Sequence, residues 1–455
     1  MDFIVCKFGG TSVAAPERLR QIESIIELDE RRRCVVVSAP GKAPGVEFKV
    51  TDMLIKITEL RLAAQDASPM IMAVKKRFED IYGALGLSSQ LIGEILADLD
   101  VRANVATTDA RKFRDQLVAI GEDLNARLFA AYLQSRGKAA RYVSPAEAGL
   151  LVTAQFGDAQ PLAESTMRLA SLKQICSESL VIFPGFFGVT SDGDVATFSR
   201  GGSDLTGSIL AEALDACEYE NWTDVDGIYS ANPGVVSAPV QIPALTYKEM
   251  RELSYMGFNV FHEEAVKPVI AKKIPIRLRN TNNINNKGTL IVYERLPGER
   301  DVVGIASSSG YCSFNLQKFL MNRERGFGRK LLQIFEDYGL SYEHAPSGID
   351  NMSVILSQKQ LAPVTLNNII RSIEDKLKPD EIKTEFGIAL IVVVGEGLLH
   401  KLGMLSRATK ALSQAGVNIK IANQGSSEIS MIFGIDASDE KKAVNALYQE
   451  FFAQA

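Results

Sequence analysis

At 455 residues the chain is long enough for two or three domains, and 46% apolar with 23% charged residues is an ordinary globular composition. A net charge of −5 gives no general attraction to nucleic acid or anionic membranes, and no apolar run approaches the ~18 residues of a membrane helix. The five cysteines (Cys6, Cys34, Cys176, Cys217 and Cys312) form no CxxC pair, and with no signal-peptide pattern at the start a reducing cytoplasm is the expected setting.

Residues 3–8 read as an apolar strand that carries Lys7 and runs into Gly9-Gly10-Thr11-Ser12. Glycines let a backbone approach an anion closely, a helix start offers free N–H groups, and Lys7 adds a mobile point charge. A phosphate cradle and a tight strand-to-helix turn with a surface lysine are both open readings. Residues 17–28 follow as an amphipathic helix with Leu19, Ile22, Ile25 and Ile26 on its core side. The run from Cys34 to Ala39, ended by Pro40-Gly41, has the unbroken apolar character of a buried parallel strand. Residues 64–131 read as mostly helical. Residues 180–183, before Pro184-Gly185, repeat the strand signature, and 274–278 and 289–293 add two more strands. Strands separated by helices predict an α/β sandwich over residues 1–293.

Residues 294–301, with Pro297-Gly298, read as a linker. Beyond it an internal repeat appears at an offset of 77 residues: Gly326 matches Gly403, Gly339 matches Gly416, Gly348 matches Gly425 and Ser353 matches Ser430. A helix lies between the first two glycines of each copy, and two short strands follow. Two copies are too few for a solenoid and fit a pair of ligand-binding modules better.

Only three histidines are present, with no HExxH, Cys/His cluster or GxSxG elbow, so neither a dedicated zinc site nor a serine triad is expected. His262, before Glu263-Glu264, reads as a solvated helix end. Phosphate chemistry, with Mg²⁺ carried in by a nucleotide, suits the residues better.

Further segments converge on the opening motif: Gly121-Glu122 after a helix, Ser199-Arg200-Gly201-Gly202-Ser203-Asp204 before a helix, Thr223-Asp224-Val225-Asp226-Gly227-Ile228-Tyr229, and Arg279-Asn280-Thr281. In this order they resemble the aspartate kinases of the amino-acid kinase superfamily. The tail repeat resembles that family's paired ACT domains, and the resemblance covers essentially the whole chain. It implies an α/β three-layer sandwich with a mostly parallel central sheet over 1–293. Two ferredoxin-like (βαββαβ) ACT domains would follow, near 315–385 and 386–455, with the strand near 302–314 shared with the second.

The resemblance also implies the reaction: transfer of the ATP γ-phosphoryl group to the β-carboxylate of L-aspartate. Lys7 and Asp204 would be catalytic. Lys7, Gly9, Gly10, Thr223, Asp224 and Tyr229 would hold the nucleotide, Gly9 and Gly10 through backbone N–H groups. Thr11, Ser38, Glu122, Arg200, Gly201, Gly202 and Ser203 would bind substrate, Glu122 on the α-ammonium and Arg200 two-pronged on a carboxylate. Glu122-Asp123 as a solvated helix face and Asp226-Gly227 as a plain turn are the structural alternatives.

Met321, Arg325, Gly326, Phe327, Gly328 and Glu343 would form the effector site of the first ACT copy, for lysine ahead of threonine; Glu343 as an exposed edge-strand acid is the alternative. Pairing through ACT domains implies a homodimer or a dimer of dimers.

Four positions depart from the family pattern, Glu263 among them, where a proline is usual. Asn259 stands where a nucleotide-contacting lysine is usual, and Asn232-Pro233-Gly234 stands where Asp-Pro-Arg is usual. The competing functions are a kinase of the same superfamily acting on glutamate, acetylglutamate, a nucleoside monophosphate or carbamate, and an amino-acid sensor without ATP turnover.

Overall fold

The computed structural model describes residues 2–105, 109–199, 201–258, 263–295, 300–425 and 427–453. Arg200, Asn259 and His262 lie outside the described residues, as do positions 296–299 of the expected linker. Two compact units form: Met1–Ile228 with Gln241–Met250 and Asn259–Arg295, and Tyr229–Val240 with Arg251–Phe258 and Leu296–Ala455.

The first unit is built on strands β1 (Ile4–Phe8), β2 (Arg32–Val37), β3 (Ala140–Tyr142), β4 (Leu180–Pro184), β5 (Phe187–Val189), β6 (Val195–Thr197), β7 (Glu218–Thr223), β8 (Ala244–Thr246), β9 (Ile276–Asn280) and β10 (Thr289–Val292). Eight of these pair in the order β3-β4-β2-β1-β7-β9-β10-β8, and β5 and β6 form a separate hairpin. Every pairing from β3 across to β9 is parallel; only β9 with β10 is antiparallel. The expected mostly parallel α/β sheet is therefore present.

Period-two alternation along β1 divides the layers. Ile4, Cys6 and Phe8 join one large core cluster with Val35, Val37 and Ile182, against Leu19, Ile22, Leu54, Phe78, Leu124 and Phe129 of the surrounding helices. Lys7 points the other way, toward the helix Gly202–Leu214, where it meets Asp204. Helices at Pro16–Glu27, Ser68–Gly83, Ser89–Ala103, Ala110–Val118 and Ile120–Ser135 account for the predicted helical stretches.

A buried polar knot joins β1, β2, β7 and β9. Arg32 grips Glu220 through two bonds of 2.8 Å, Trp222 Nε1 donates to the same carboxylate at 2.9 Å, and Cys6 Sγ and Arg279 Nη1 add bonds of 3.3 and 3.4 Å. The Arg32 and Arg279 guanidinium groups lie 5.5 and 4.5 Å from the Trp222 ring centre, and Phe8 stacks on that ring at 5.9 Å. Burial works to raise the Glu220 pKa, but the Arg32 hydrogen bonds and charge outweigh it, and the carboxyl is held below its ordinary value.

The second unit holds one five-stranded antiparallel sheet of β11 (Gly304–Gln317), β12 (Asn351–Ser357), β13 (Glu381–Val394), β14 (Ile421–Gln424) and β15 (Ser430–Asp436), in the order β12-β11-β13-β15-β14. The two 14-residue strands β11 and β13 each serve both repeat copies. The far half of β11 pairs with β12, and the far half of β13 pairs with β15. Their register shifts around Ser309–Tyr311, where Gly310 takes φ +90°, a left-handed conformation that glycine adopts without strain. Separate cores lie under the halves, one around Phe314, Leu331, Phe335 and Ile373, the other around Ile391, Leu412, Phe433 and Leu447.

The repeat geometry follows the sequence offset. Helices Phe327–Asp337 and Met404–Gln414 both start from a left-handed glycine, Gly326 at φ +77° and Gly403 at φ +82°. The strand expected after Gly339 is reduced to isolated bridges, His344 with Ile355 and Ser347 with Met352. The stretch Tyr229–Val240 belongs to this unit too. Ile305 N donates to Ser230 O at 2.7 Å, Tyr448 Oη accepts from Val240 N at 2.9 Å, and Ala231 and Val236 enter the second core.

Candidate active site

Parallel strands end on one side of a sheet, and that side gathers the loops that follow β1, β2, β4 and β7. A cavity of about 410 Å³ opens there, lined by Lys7, Gly9, Gly10 and Thr11 after β1, Ser38 to Gly41 after β2, Phe186 after β4 and Thr223 at the end of β7. Lys49 and Thr51, Glu122, and Gly201 to Asp204, at the starts of three helices, complete the lining.

Lys7 Nζ lies 2.5 Å from Asp204 Oδ1. Asp204 stands in the first turn of its helix, where a negative charge is favoured, and Asn221 Nδ2 donates to the same oxygen at 2.9 Å. Asn221 pairs in register with Lys7 across β1 and β7, so the sheet itself sets this triad. Gly201, at φ +84°, turns the chain into that helix.

Gly9 departs from its expected role as an N–H donor to phosphate, because its N–H is already bonded to Trp222 O at 3.2 Å. Its use lies in lacking a side chain: a Cβ there would stand 3.5 Å from the Lys7 ammonium and fill the space before it. Gly10 is pressed against the next loop, with Gly41 N donating to Gly10 O at 2.8 Å. A short 3₁₀ turn, Gly10–Val13, precedes the α-helix that starts at Pro16.

Glu122 enters from the start of the helix Ile120–Ser135. Gly121 lets that helix close in, since a Cβ there would come within 2.9 Å of Ala39 Cβ and 3.0 Å of Leu54 Cδ1. The carboxyl is 5% exposed, and its Oε2 has no hydrogen-bond partner among the described residues. Burial pushes its pKa up to about 8, against the opposing effect of a bond from the Ala39 N–H. The solvated-face alternative is excluded by this burial. Ser38 is held from behind, its carbonyl accepting from Asn125 Nδ2 at 2.7 Å, with Tyr82 Oη on Asn125 Oδ1 at 2.7 Å.

Asp224 lines an adjoining cavity of about 230 Å³ with Thr11, Ser12, Arg18, Lys42 and Asn282. Tyr229 lines neither cavity and belongs to the second unit. Asp226 accepts from Asn280 and Asn283 at 2.8 and 3.1 Å, which makes it a turn anchor.

In the second unit Met321 and Phe327 are buried in the first repeat core, and the Gly328 backbone lies against Met352. Gly326 caps the helix, and Glu343 accepts a hydrogen bond from Tyr255 Oη. A cavity of about 860 Å³ lies at the equivalent loop of the second copy, between His400–Ser406 and Gln424, Gly425 and Glu428.

The residues missed from sequence are Lys49, Thr51, Phe186, Asn125 and Asn221. The Thr51-Asp52 helix start was a readable signal; Asn221 becomes visible only once the strand register is known.

Residues 2–280 match the amino acid kinase family, and residues 391–451 match the ACT domain. Aspartokinase 3 of Bacillus subtilis is 50% identical over 449 residues, spanning 99% of this chain and 98% of that protein. The crystal structure of the Clostridium acetobutylicum aspartate kinase superposes with a TM-score of 0.88 at 35% identity, covering 99% of this chain and all of the other. Aspartokinase III of Escherichia coli, in a structure complexed with lysine and aspartate, gives a TM-score of 0.78 at 26% identity, covering 99% and 100%. The chain belongs to the amino acid kinase family, and within it to the aspartokinases.

Proposed function

We propose that the chain is an ATP:L-aspartate 4-phosphotransferase, the first step of the route to lysine, threonine and methionine. The observation that carries the reading is one cavity with a buried carboxyl at Glu122, one oxygen of which has no partner among the described residues, and a lysine–aspartate pair at Lys7 and Asp204. An amino-acid dicarboxylate brings an ammonium for the first and a nucleophile for the region of the second.

The aspartate β-carboxylate is ionised at pH 7, so no general base is required. The barrier lies in bringing two anions together, which positioning and charge must lower. The Lys7 ammonium has three donors and can keep Asp204 while reaching phosphoryl oxygens. The space before it, left open by Gly9, suits a phosphate group. Mg²⁺ arrives on the nucleotide phosphates and neutralises part of their charge. Binding of the α-ammonium at Glu122 restores the ionised carboxylate, because an adjacent positive charge lowers a carboxyl pKa.

Thr11, Ser38, Arg200, Gly201, Gly202 and Ser203 serve the substrate in this reading. Gly9, Gly10, Thr223 and Asp224 serve the nucleotide, Gly9 by leaving open the space before Lys7. Residues 1–293 are the catalytic domain, lending Tyr229–Val240 and Arg251–Phe258 to the regulatory unit. Lysine, ahead of threonine, acts through Met321, Arg325 to Gly328 and Glu343, in a cytoplasmic homodimer or dimer of dimers paired by ACT domains. The lysine-bound Escherichia coli relative supports that choice of effector.

The test is ADP release with Mg-ATP and L-aspartate, trapping the acyl phosphate with hydroxylamine. Aspartate-dependent hydroxamate is expected from the wild type and is lost in Lys7→Ala. Its absence from folded wild type would overturn the reading. Separate dose responses to lysine and threonine test the regulation, and inhibition by neither removes both effectors.

A further inference from the structure

We propose that Lys49 is a substrate-binding residue whose ammonium receives the α-carboxylate of the amino-acid substrate. Lys49 lines the cavity beside Thr51 and Glu122. Its ammonium makes no hydrogen bond or ion pair among the described residues. The other lysine of the cavity, Lys7, is engaged by Asp204.

The backbone that carries Lys49 is fixed although its side chain is long. Val50 N donates to Pro40 O at 3.0 Å, and Met53 N closes the first helical turn on Lys49 O at 3.1 Å. Gly121 admits Val50 and Leu54 to the Glu122 helix, with Val50 Cγ1 3.3 Å from where a Gly121 Cβ would stand. Lys49 therefore sits next to a residue packed on the Glu122 helix, and lines the same cavity as Glu122.

Substrate geometry then selects the group it meets. The ammonium and the α-carboxylate of an amino acid share one carbon, so an ammonium on Glu122 carries its carboxylate to the same end. The β-carboxylate must face the transferring phosphoryl group near Lys7. A carboxylate has about four lone-pair sites, so the α-carboxylate can accept from Lys49 and from a second donor together. The inference rests on the reading of Glu122 as the ammonium site.

The experiment measures KM for L-aspartate and for ATP in the wild type, Lys49→Gln, Lys49→Arg and Glu122→Gln. Lys49→Gln is expected to raise KM for aspartate about tenfold, the scale of one hydrogen bond between charged groups, with KM for ATP within about twofold of wild type. Lys49→Arg recovers most of the loss. Lys49→Gln also shrinks the preference for L-aspartate over its α-amide, and weakens the rise of KM with added salt, since both depend on the ammonium charge. A packing defect would move neither of those. An unchanged KM for aspartate, or a rise confined to ATP, overturns the proposal. If Glu122→Gln raises KM for aspartate and Lys49→Gln does not, Lys49 alone is misassigned. If neither does, the ammonium site itself is misplaced and the proposal falls with it.

Discussion

Among the buried carboxyl groups of the first unit, Glu220 at 2% exposed and Glu122 at 5% are treated oppositely by their surroundings. Glu220 takes bonds from Arg32, Trp222, Cys6 and Arg279 and is held ionised below its ordinary pKa. Glu122 has one oxygen without a donor among the described residues, and burial pushes its pKa up to about 8. A buried charge that the protein satisfies ties strands together. Glu122, left half satisfied at a cavity, is the acid to which the proposed reaction brings a positive charge.

The strongest way to break this contrast is Glu220→Ala. Removing one partner of a buried ion pair costs about 3–5 kcal/mol, so a large drop in the urea midpoint is expected, followed through the single tryptophan, Trp222. A stability change below about 1 kcal/mol would mean that the knot is not structural.

Lys7→Ala leaves Asp204 partly exposed and still bonded to Asn221, so it should cost less stability than Glu220→Ala while lowering kcat about 10³-fold, the scale of losing one preorganised charge on a transition state. A fall in the urea midpoint as large as that of Glu220→Ala would place Lys7 on the structural side of the comparison.

Glu122→Gln should raise KM for aspartate roughly tenfold to a hundredfold, the cost of a charged hydrogen bond, while KM for ATP holds. Stability then separates the two acids by sign. The folded, ligand-free protein keeps the Glu122 proton up to about pH 8, whereas the unfolded chain loses it near 4.5. That contribution is full below pH 4.5 and is lost as pH rises to about 8. Glu220, with a lowered pKa, contributes above its unfolded value of 4.5 and loses that contribution as pH falls through its folded value. Glu122→Gln should therefore flatten the decline of stability between pH 4.5 and 8, measured by thermal unfolding without ligand. An unchanged slope contradicts the raised pKa.

The smallest expected effect belongs to Asn221→Ala. It removes one hydrogen bond behind Asp204 and should lower kcat by about tenfold or less, within the ~0.5–1.5 kcal/mol of a typical bond. No change in kcat would leave Asn221 with a packing role alone.

Local pattern carried much of this into the sequence. The strand ending at Gly9-Gly10, the helix from Gly202 and the matched glycines Gly326 and Gly403 are all local devices, and each lies where its spacing predicts. Pairing across the chain is not local. Asn221 acquires its place from register with Lys7, Asn125 from the approach of a distant helix to Ser38, and the Gly9 N–H from its bond to Trp222 O. A strand near 302–314 was expected to be shared with the second copy, but the sharing of β13 by both copies was hidden for the same reason, as was the inclusion of Tyr229–Val240 in the second unit. No sequence period records which partner a strand will choose.

In the proposed reaction Glu122 stays protonated until the substrate ammonium arrives. Isothermal titration of L-aspartate into the enzyme at pH 7, with a non-hydrolysable ATP analogue present, measures it directly when repeated in buffers of different ionisation enthalpy. Release of nearly one proton per aspartate bound is expected from a carboxyl with a pKa of about 8, vanishing in Glu122→Gln. Tight binding with no proton released by the wild type would contradict the account.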